Sequence, residues 1–254
     1  MCRHLVWLGP AVELAALVFD PPHSLLRQSF APTDMRGGGT VNVDGFGVGW
    51  YPEGAGTPIR YRRAVPMWAD ASFAALARQV RSAAVLAAVR SATVGMPIAE
   101  TACAPFATGR WLFSHNGVVM GWPHSVAGLA ARLPVTDLLT LEASTDSALL
   151  WALVRHRLGA GDSLGCALGR VVAQVLAVAP ASRLNLLITD GTEVAATAVY
   201  HALWVRASAG AVLVCSEPTD RSTGWQPIPD GHLLTATPST VDVVPIPPHV
   251  VEEP

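Results

Sequence analysis

Cys2 puts two reactive groups on one residue. An initiator methionine followed by a small residue such as cysteine is normally trimmed, so the mature chain is expected to begin with a thiol and a free α-amine. The thiolate is a strong nucleophile. The α-amine, with a reference pKa of about 7.7–8.0, accepts a proton near neutrality. Nucleophile and base on one residue suit acyl transfer; the competing reading is an ordinary cysteine at a frayed end. Arg90, in Val89-Arg90-Ser91-Ala92-Thr93, closes an apolar run. An arginine there is expected to face a cleft, because burying it unpaired is costly. His115-Asn116-Gly117 sets an amide side chain beside a glycine N–H, the two donors of an oxyanion hole. The same Asn-Gly pair also makes an ordinary turn. Ser144-Thr145-Asp146-Ser147 opens a long helical pattern and reads equally well as a capping cluster.

Composition removes other chemistries. All 17 basic residues of the 254 are arginine. Without lysine there is no Walker-type phosphate loop, no kinase, no pyridoxal-phosphate Schiff base and no lysine general base. A net charge of −2 gives no electrostatic footprint for nucleic acid or anionic lipid. The four cysteines form no C-x-x-C pair and no zinc-like spacing with histidine, and they are too sparse for a disulfide scaffold. No apolar stretch reaches the roughly 18–20 residues of a membrane span, and no cleavage site follows the apolar start. The expectation is a cytoplasmic protein without a metal.

The elements that must position these residues follow from periodicity. Residues 3–8 read as a buried strand and 11–19 as a short helix closed by Pro21-Pro22; 24–44 reads as loop with the triple glycine Gly37-Gly38-Gly39. Strands are expected over 46–51, 59–65, 84–93 and 110–115, with a helix over 71–81 and a loop carrying Pro97 and Pro105. Helices over 145–158 and 163–179 precede a hairpin, 183–189 and 192–199, turned at Asp190-Gly191. Strands at 203–206, 211–215, 232–236 and 241–244 complete an α+β layered chain, one domain over 2–244 with a proline-rich tail at 245–254. Two decoys fail on context. Gly161-Asp162-Ser163-Leu164-Gly165 matches a nucleophile elbow, yet it follows a helix and Ser163 reads as a cap. Gly45-Phe46-Gly47-Val48-Gly49 looks like a dinucleotide loop, yet its glycines lie inside a strand.

Six pieces occur in the order found in one family. Cys2, Arg36-Gly37-Gly38, Asn42-Val43-Asp44-Gly45-Phe46-Gly47-Val48-Gly49-Trp50, Arg90-Ser91-Ala92-Thr93, His115-Asn116-Gly117 and Ser144-Thr145-Asp146-Ser147 resemble class II glutamine amidotransferase domains. The resemblance extends to Cys215-Ser216-Glu217-Pro218. It implies a four-layer αββα sandwich of N-terminal nucleophile hydrolase type. It implies Cys2 as the nucleophile, Asn116 and Gly117 as the oxyanion hole, Arg90 for a glutamyl α-carboxylate and Asp146 for the α-ammonium. Thr93 and Val94 fall where the family lines the glutamyl pocket, and Arg36 matches a secondary active-site arginine. The family's common Arg-Trp-Ala-Thr-His is Arg90-Ser91-Ala92-Thr93-Val94 here, which changes the side chains of that pocket but not the ion pair. More narrowly, Met1-Cys2-Arg3-His4 and Pro21 to Leu26 resemble the branch acting in ergothioneine biosynthesis, which implies hydrolysis of γ-glutamyl-hercynylcysteine S-oxide. No cofactor is expected. The partner implied is a small γ-glutamyl molecule, neither nucleic acid nor membrane, with self-association left open. A glutaminase subunit feeding a separate synthetase and an inactive γ-glutamyl-binding protein remain alternatives. For a large cationic leaving group, Trp68, Trp111, Trp122 and Trp225 are the candidate aromatic faces.

Overall fold

A computed structural model of the chain describes residues 2–36 and 41–248; Met1, residues 37–40 and the last six residues lie outside it. The first sheet is built from β1 (Arg3–Glu13), β2 (Phe46–Trp50), β3 (Ile59–Arg63), β4 (Arg81–Val89), β9 (Trp204–Ser208), β10 (Ala211–Cys215) and β11 (Gln226–Pro227), in the order β11-β9-β10-β1-β4-β2-β3. The second holds β5 (Phe106–Thr108), β6 (Trp111–Val118), β7 (Arg183–Thr189), β8 (Val194–Ala198), β12 (His232–Thr237) and β13 (Thr240–Pro245), in the order β13-β12-β8-β7-β6-β5. The strand that starts at Arg3 is thus central in its sheet, between β10 and β4.

Alternation along the strands assigns the layers. On β1, Val6 and Leu8 face inward and pack with Leu112, Leu187 and Ala196 of the second sheet. Leu5, one residue earlier, faces outward onto α1 (Leu14–Val18), α2 (Leu25–Gln28) and α3 (Ala71–Leu76). After the short α4 (Ala127–Ala130) and α5 (Val135–Leu139) come α6 (Asp146–Gly159) and α7 (Leu164–Val178), on which the outer face of the second sheet packs with Phe113, Leu184, Leu186 and Ile188. The result is the αββα sandwich. Packing is tight at β2, where a Cβ on Gly47 would lie 2.2 Å from Ala104 O and one on Gly49 2.7 Å from Leu112 Cδ1. Those two glycines serve packing, as their place inside a strand requires.

Several boundaries differ from expectation. The helix expected from Ala11 begins only at Leu14, because β1 runs on, after a register shift between Leu8 and Val12, to pair Val12 with Ser82 and Glu13 with Arg81. The helix expected to Arg81 stops at Leu76, because Arg81 already opens β4. The stretch read as loop from Ser24 holds α2, capped by Ser24 Oγ, which accepts from Arg27 N at 3.3 Å. Phe106–Thr108, read as loop around Pro105, pairs with β6. At the hairpin, Asp190 Oδ1 accepts from both Thr192 N and Glu193 N, so the turn is wider than a two-residue one. Ser163 caps α7, as its context predicts. At the far end Pro245 closes β13 and Ile246 N donates to Gly231 O. No helix among the described residues is long and apolar enough to cross a membrane.

Candidate active site

Strand alternation brings four polar side chains into the space between the sheets. Cys2 and His4 share the inner face of β1 with Val6; Ser114 and Asn116 share the inner face of β6 with Leu112. At this end the apolar interlayer core gives way to a cavity of about 320 Å³, lined by Cys2, Arg90, Ser114, His115 and Ser147 together with apolar groups including Phe46 and Phe106. Cys2 is half-buried there, with Sγ 3.8 Å from Ser91 O.

Arg90 follows β4 directly. Its N–H donates to Gly45 O, its carbonyl accepts from Asp44 N, and Asp44 Oδ2 accepts from Ala92 N at 2.7 Å. The backbone of residues 90–92 is therefore pinned, while the buried Nη1 of Arg90 has no protein partner. Asn116 is wholly buried, and neither its Nδ2 nor its Oδ1 has a partner. Buried polar groups are nearly always satisfied. An unpartnered guanidinium nitrogen on the cavity that holds the thiol, with an unpartnered amide on the neighbouring inner face of β6, suits a ligand carrying oxygens. Gly117 is required by close approach, since a Cβ there would lie 1.8 Å from Arg183 O.

His115 joins β6 to its surroundings, with Nδ1 2.9 Å from Ser147 Oγ and Nε2 3.0 Å from Arg183 O. Asp146 opens α6, beside the pocket residue Ser147. Its Oδ2 accepts from Val119 N at 2.9 Å and its Oδ1 from Ser147 N at 2.7 Å. Thr145 is the cap, accepting from Ala148 N. Thr93 and Val94 stand outside the cavity lining, and Val94 is fully exposed. Arg36 is exposed and also stands outside the cavity lining, paired with Asp34 and donating to Tyr200 O at 3.1 Å. The two glycines after it lie outside the described residues.

Residues with no assigned role in the sequence reading hold the nucleophile strand. Arg3, on the outer face between Cys2 and His4, pairs with Glu217 at 2.8 Å with both side chains 1% exposed. Glu217 also meets His23 Nε2 at 2.7 Å and accepts from Thr33 N and Thr33 Oγ1. These contacts, led by the His23 hydrogen bond and the Arg3 charge, outweigh burial and hold its carboxyl down at about 2. Ser216 closes the tie: its N–H donates to His4 O, and its Oγ accepts from His4 N. A charged pair on the outer face of an otherwise apolar strand was the signal available for Arg3.

The tryptophans are spent elsewhere. The face of Trp225 carries Arg206 at 4.5 Å, Trp111 and Trp122 pack on the core beneath the second sheet, and exposed Trp68 meets Phe30 edge-on at 5.6 Å.

Comparison with known proteins agrees with this geometry. The model of the family "Glutamine amidotransferases class-II" matches residues 12–209. A gamma-glutamyl-hercynylcysteine sulfoxide hydrolase of Mycolicibacterium smegmatis is 43% identical over 246 residues, 97% of this chain and 100% of the relative. Its counterpart in Mycobacterium tuberculosis is 43% identical over 93% of each chain. Among solved structures, a glutamine aminotransferase class-II domain protein from Silicibacter pomeroyi superposes with a TM-score of 0.70 at 24% identity, covering 97% of this chain and all of the other. Glutamine phosphoribosylpyrophosphate amidotransferase of B. subtilis gives 0.64 at 14% identity, with this chain covering about half (49%) of that one. From its sheets to its pocket, the chain belongs to the class II glutamine amidotransferases.

Proposed function

We propose that the protein hydrolyses γ-glutamyl-hercynylcysteine S-oxide to glutamate and hercynylcysteine S-oxide, by a thioester on Cys2. The observation that carries this reading is the pair of buried, unpartnered groups, Arg90 Nη1 and the Asn116 amide, the first on the same cavity as Cys2 and the second on the inner face of β6. The specific substrate rests on relatives of that name matched at 43% identity over 93–100% of their length.

In this reading Met1 is removed. The α-amine of Cys2 takes the thiol proton, Sγ attacks the γ-carbonyl, and the oxyanion is held by Asn116 Nδ2 and the Gly117 N–H. The amine then protonates the leaving nitrogen as the C–N bond breaks. Water attacks the thioester, and the Sγ–C bond breaks to release glutamate. Arg90 holds the α-carboxylate of the glutamyl group. Asp146 receives the α-ammonium on lone pairs left over from its backbone bonds, since a carboxylate offers about four acceptor sites. Thr93, Val94 and Arg36 stay in this reading as the glutamyl-pocket residues that the family resemblance implies, with Thr93 and Val94 outside the cavity lining. Cys2, Cys103, Cys166 and Cys215 are free thiols, which supports a reducing compartment such as the cytoplasm.

Acid quench during turnover, followed by peptide mass spectrometry, tests the chemistry. A γ-glutamyl adduct on the peptide beginning at Cys2 is expected. An adduct on another residue, or steady turnover by Cys2→Ala, contradicts it.

A further inference from the structure

Ser114 lines the same cavity as Cys2, His4 stands behind it on the opposite sheet, and the mechanism above uses neither. His4 Nδ1 lies 3.2 Å from Ser114 Oγ, and both residues are buried. His4 Nε2 is buried with no partner. Burial, with His115, His201 and Arg3 nearby, pushes His4 down to about 3, so the ring is neutral and carries a single N–H.

That single hydrogen has two possible places. On Nε2 it would be a buried donor without an acceptor, the rarest and most costly arrangement for a polar group. On Nδ1 it is satisfied by Ser114 Oγ, and the bare Nε2 is merely an unused acceptor. With Nδ1–H donating to Ser114, the Ser114 hydroxyl hydrogen cannot return to the imidazole and turns into the cavity it lines. Cys2 Sγ is the soft anion formed in that cavity when the thiol ionises.

We propose that His4 is a positioning residue that fixes the Ser114 hydroxyl as a hydrogen-bond donor to the Cys2 thiolate. A hydrogen bond to the charged form favours it, so the pair raises the thiolate fraction near neutrality. The inference rests on Cys2 as the nucleophile, but its tests read the thiol and the imidazole rather than turnover. It can therefore fail while the hydrolase reading stands. The other charged or titratable groups around Cys2 are Arg3 beside it, Arg90 at the end of β4, Cys103 in the loop before β5, His115 from β6 and its own α-amine. Substituting Ser114 leaves all of them in place.

Two measurements decide. The first follows alkylation of Cys2 by iodoacetamide against pH in the full-length protein, read on the Cys2 peptide by mass spectrometry so that exposed Cys166 does not intrude. Ser114→Ala is expected to move the midpoint to higher pH by about one unit, and Ser114→Thr, which keeps the hydroxyl, to restore it. An unchanged midpoint in folded Ser114→Ala overturns the proposal. The second needs no variant: long-range 15N–1H correlation spectra of the unaltered protein report the His4 tautomer. Nδ1–H is expected; Nε2–H overturns the proposal.

Discussion

Arg90 Nη1 and the Asn116 amide are buried without a protein partner, and the proposed function assigns both to the substrate, which makes single-residue predictions sharp. Arg90→Ala removes the cation for a buried carboxylate, and losing one partner of such a pair costs about 2–5 kcal/mol of transition-state binding. The kcat/KM for a γ-glutamyl substrate should fall by that amount. A substrate lacking the α-carboxylate should react slowly with the unaltered enzyme and suffer no further loss in Arg90→Ala. Equal losses on both substrates would make Arg90 structural. At Cys2, replacement by alanine should abolish hydrolysis while thermal unfolding stays within about 1 kcal/mol of the parent, since the half-buried side chain packs little. A form that retains Met1, detected by intact mass, should be equally inactive because its α-amine is no longer on the nucleophile.

At the scale of elements, the nucleophile strand is held by a charge. Glu217, just past β10, joins Arg3 of β1 to His23 and Thr33. Glu217→Gln removes the carboxylate paired with buried Arg3 and should lower stability by about 3–5 kcal/mol in urea unfolding. The folded carboxyl titrates at about 2, below its unfolded value of 4.5. Its contribution is therefore complete above about pH 4.5 and lost as the pH falls toward 2. The Gln variant should show a flatter stability curve across that window; an unaltered curve would mean the pair contributes nothing. Strand alternation made much of this fold legible: 46–51, 183–189 and 211–215 were placed nearly to the residue. The ends of β1 and α3 were not, because pairing between β1 and β4 overrides the local helical pattern at Ala11–Glu13 and at Arg81. In the candidate site, Cys2, Arg90, Asn116 and Asp146 are proposals from residue type and order, and the structure places Cys2 and Arg90 on one cavity. Asp44, which pins residues 90–92, was quoted only within a motif, because a side-chain-to-backbone bond across 48 positions leaves no periodic signal. The His4–Ser114 contact spans two sheets and was equally invisible.

On the scale of the whole molecule, two sheets are pressed together with histidines sealed near the cavity. His4 and His201 are both held down to about 3, chiefly by burial, whereas unfolded histidine titrates near 6.5. Between those values the unfolded chain binds protons that the folded one refuses, so stability declines as pH falls from about 6.5 toward 3. Each histidine contributes about 1 kcal/mol per pH unit across that range. The melting temperature should already drop between pH 7 and pH 5, before the carboxylates titrate; a level melting temperature there would show that the two rings are solvated or move on protonation. The sandwich is shared with proteins of different names, among them a gamma-glutamyl-hercynylcysteine sulfoxide hydrolase and a phosphoribosylpyrophosphate amidotransferase, so the fold alone does not choose which γ-glutamyl bond this cavity cleaves. The most direct measurement is glutamate release by the purified protein, with Met1 removed, from γ-glutamyl-hercynylcysteine S-oxide and from glutamine at equal concentrations. The account predicts a kcat/KM for the betaine substrate well above that for glutamine. Equal values, or a preference for glutamine, would contradict it and point to an ammonia-supplying subunit.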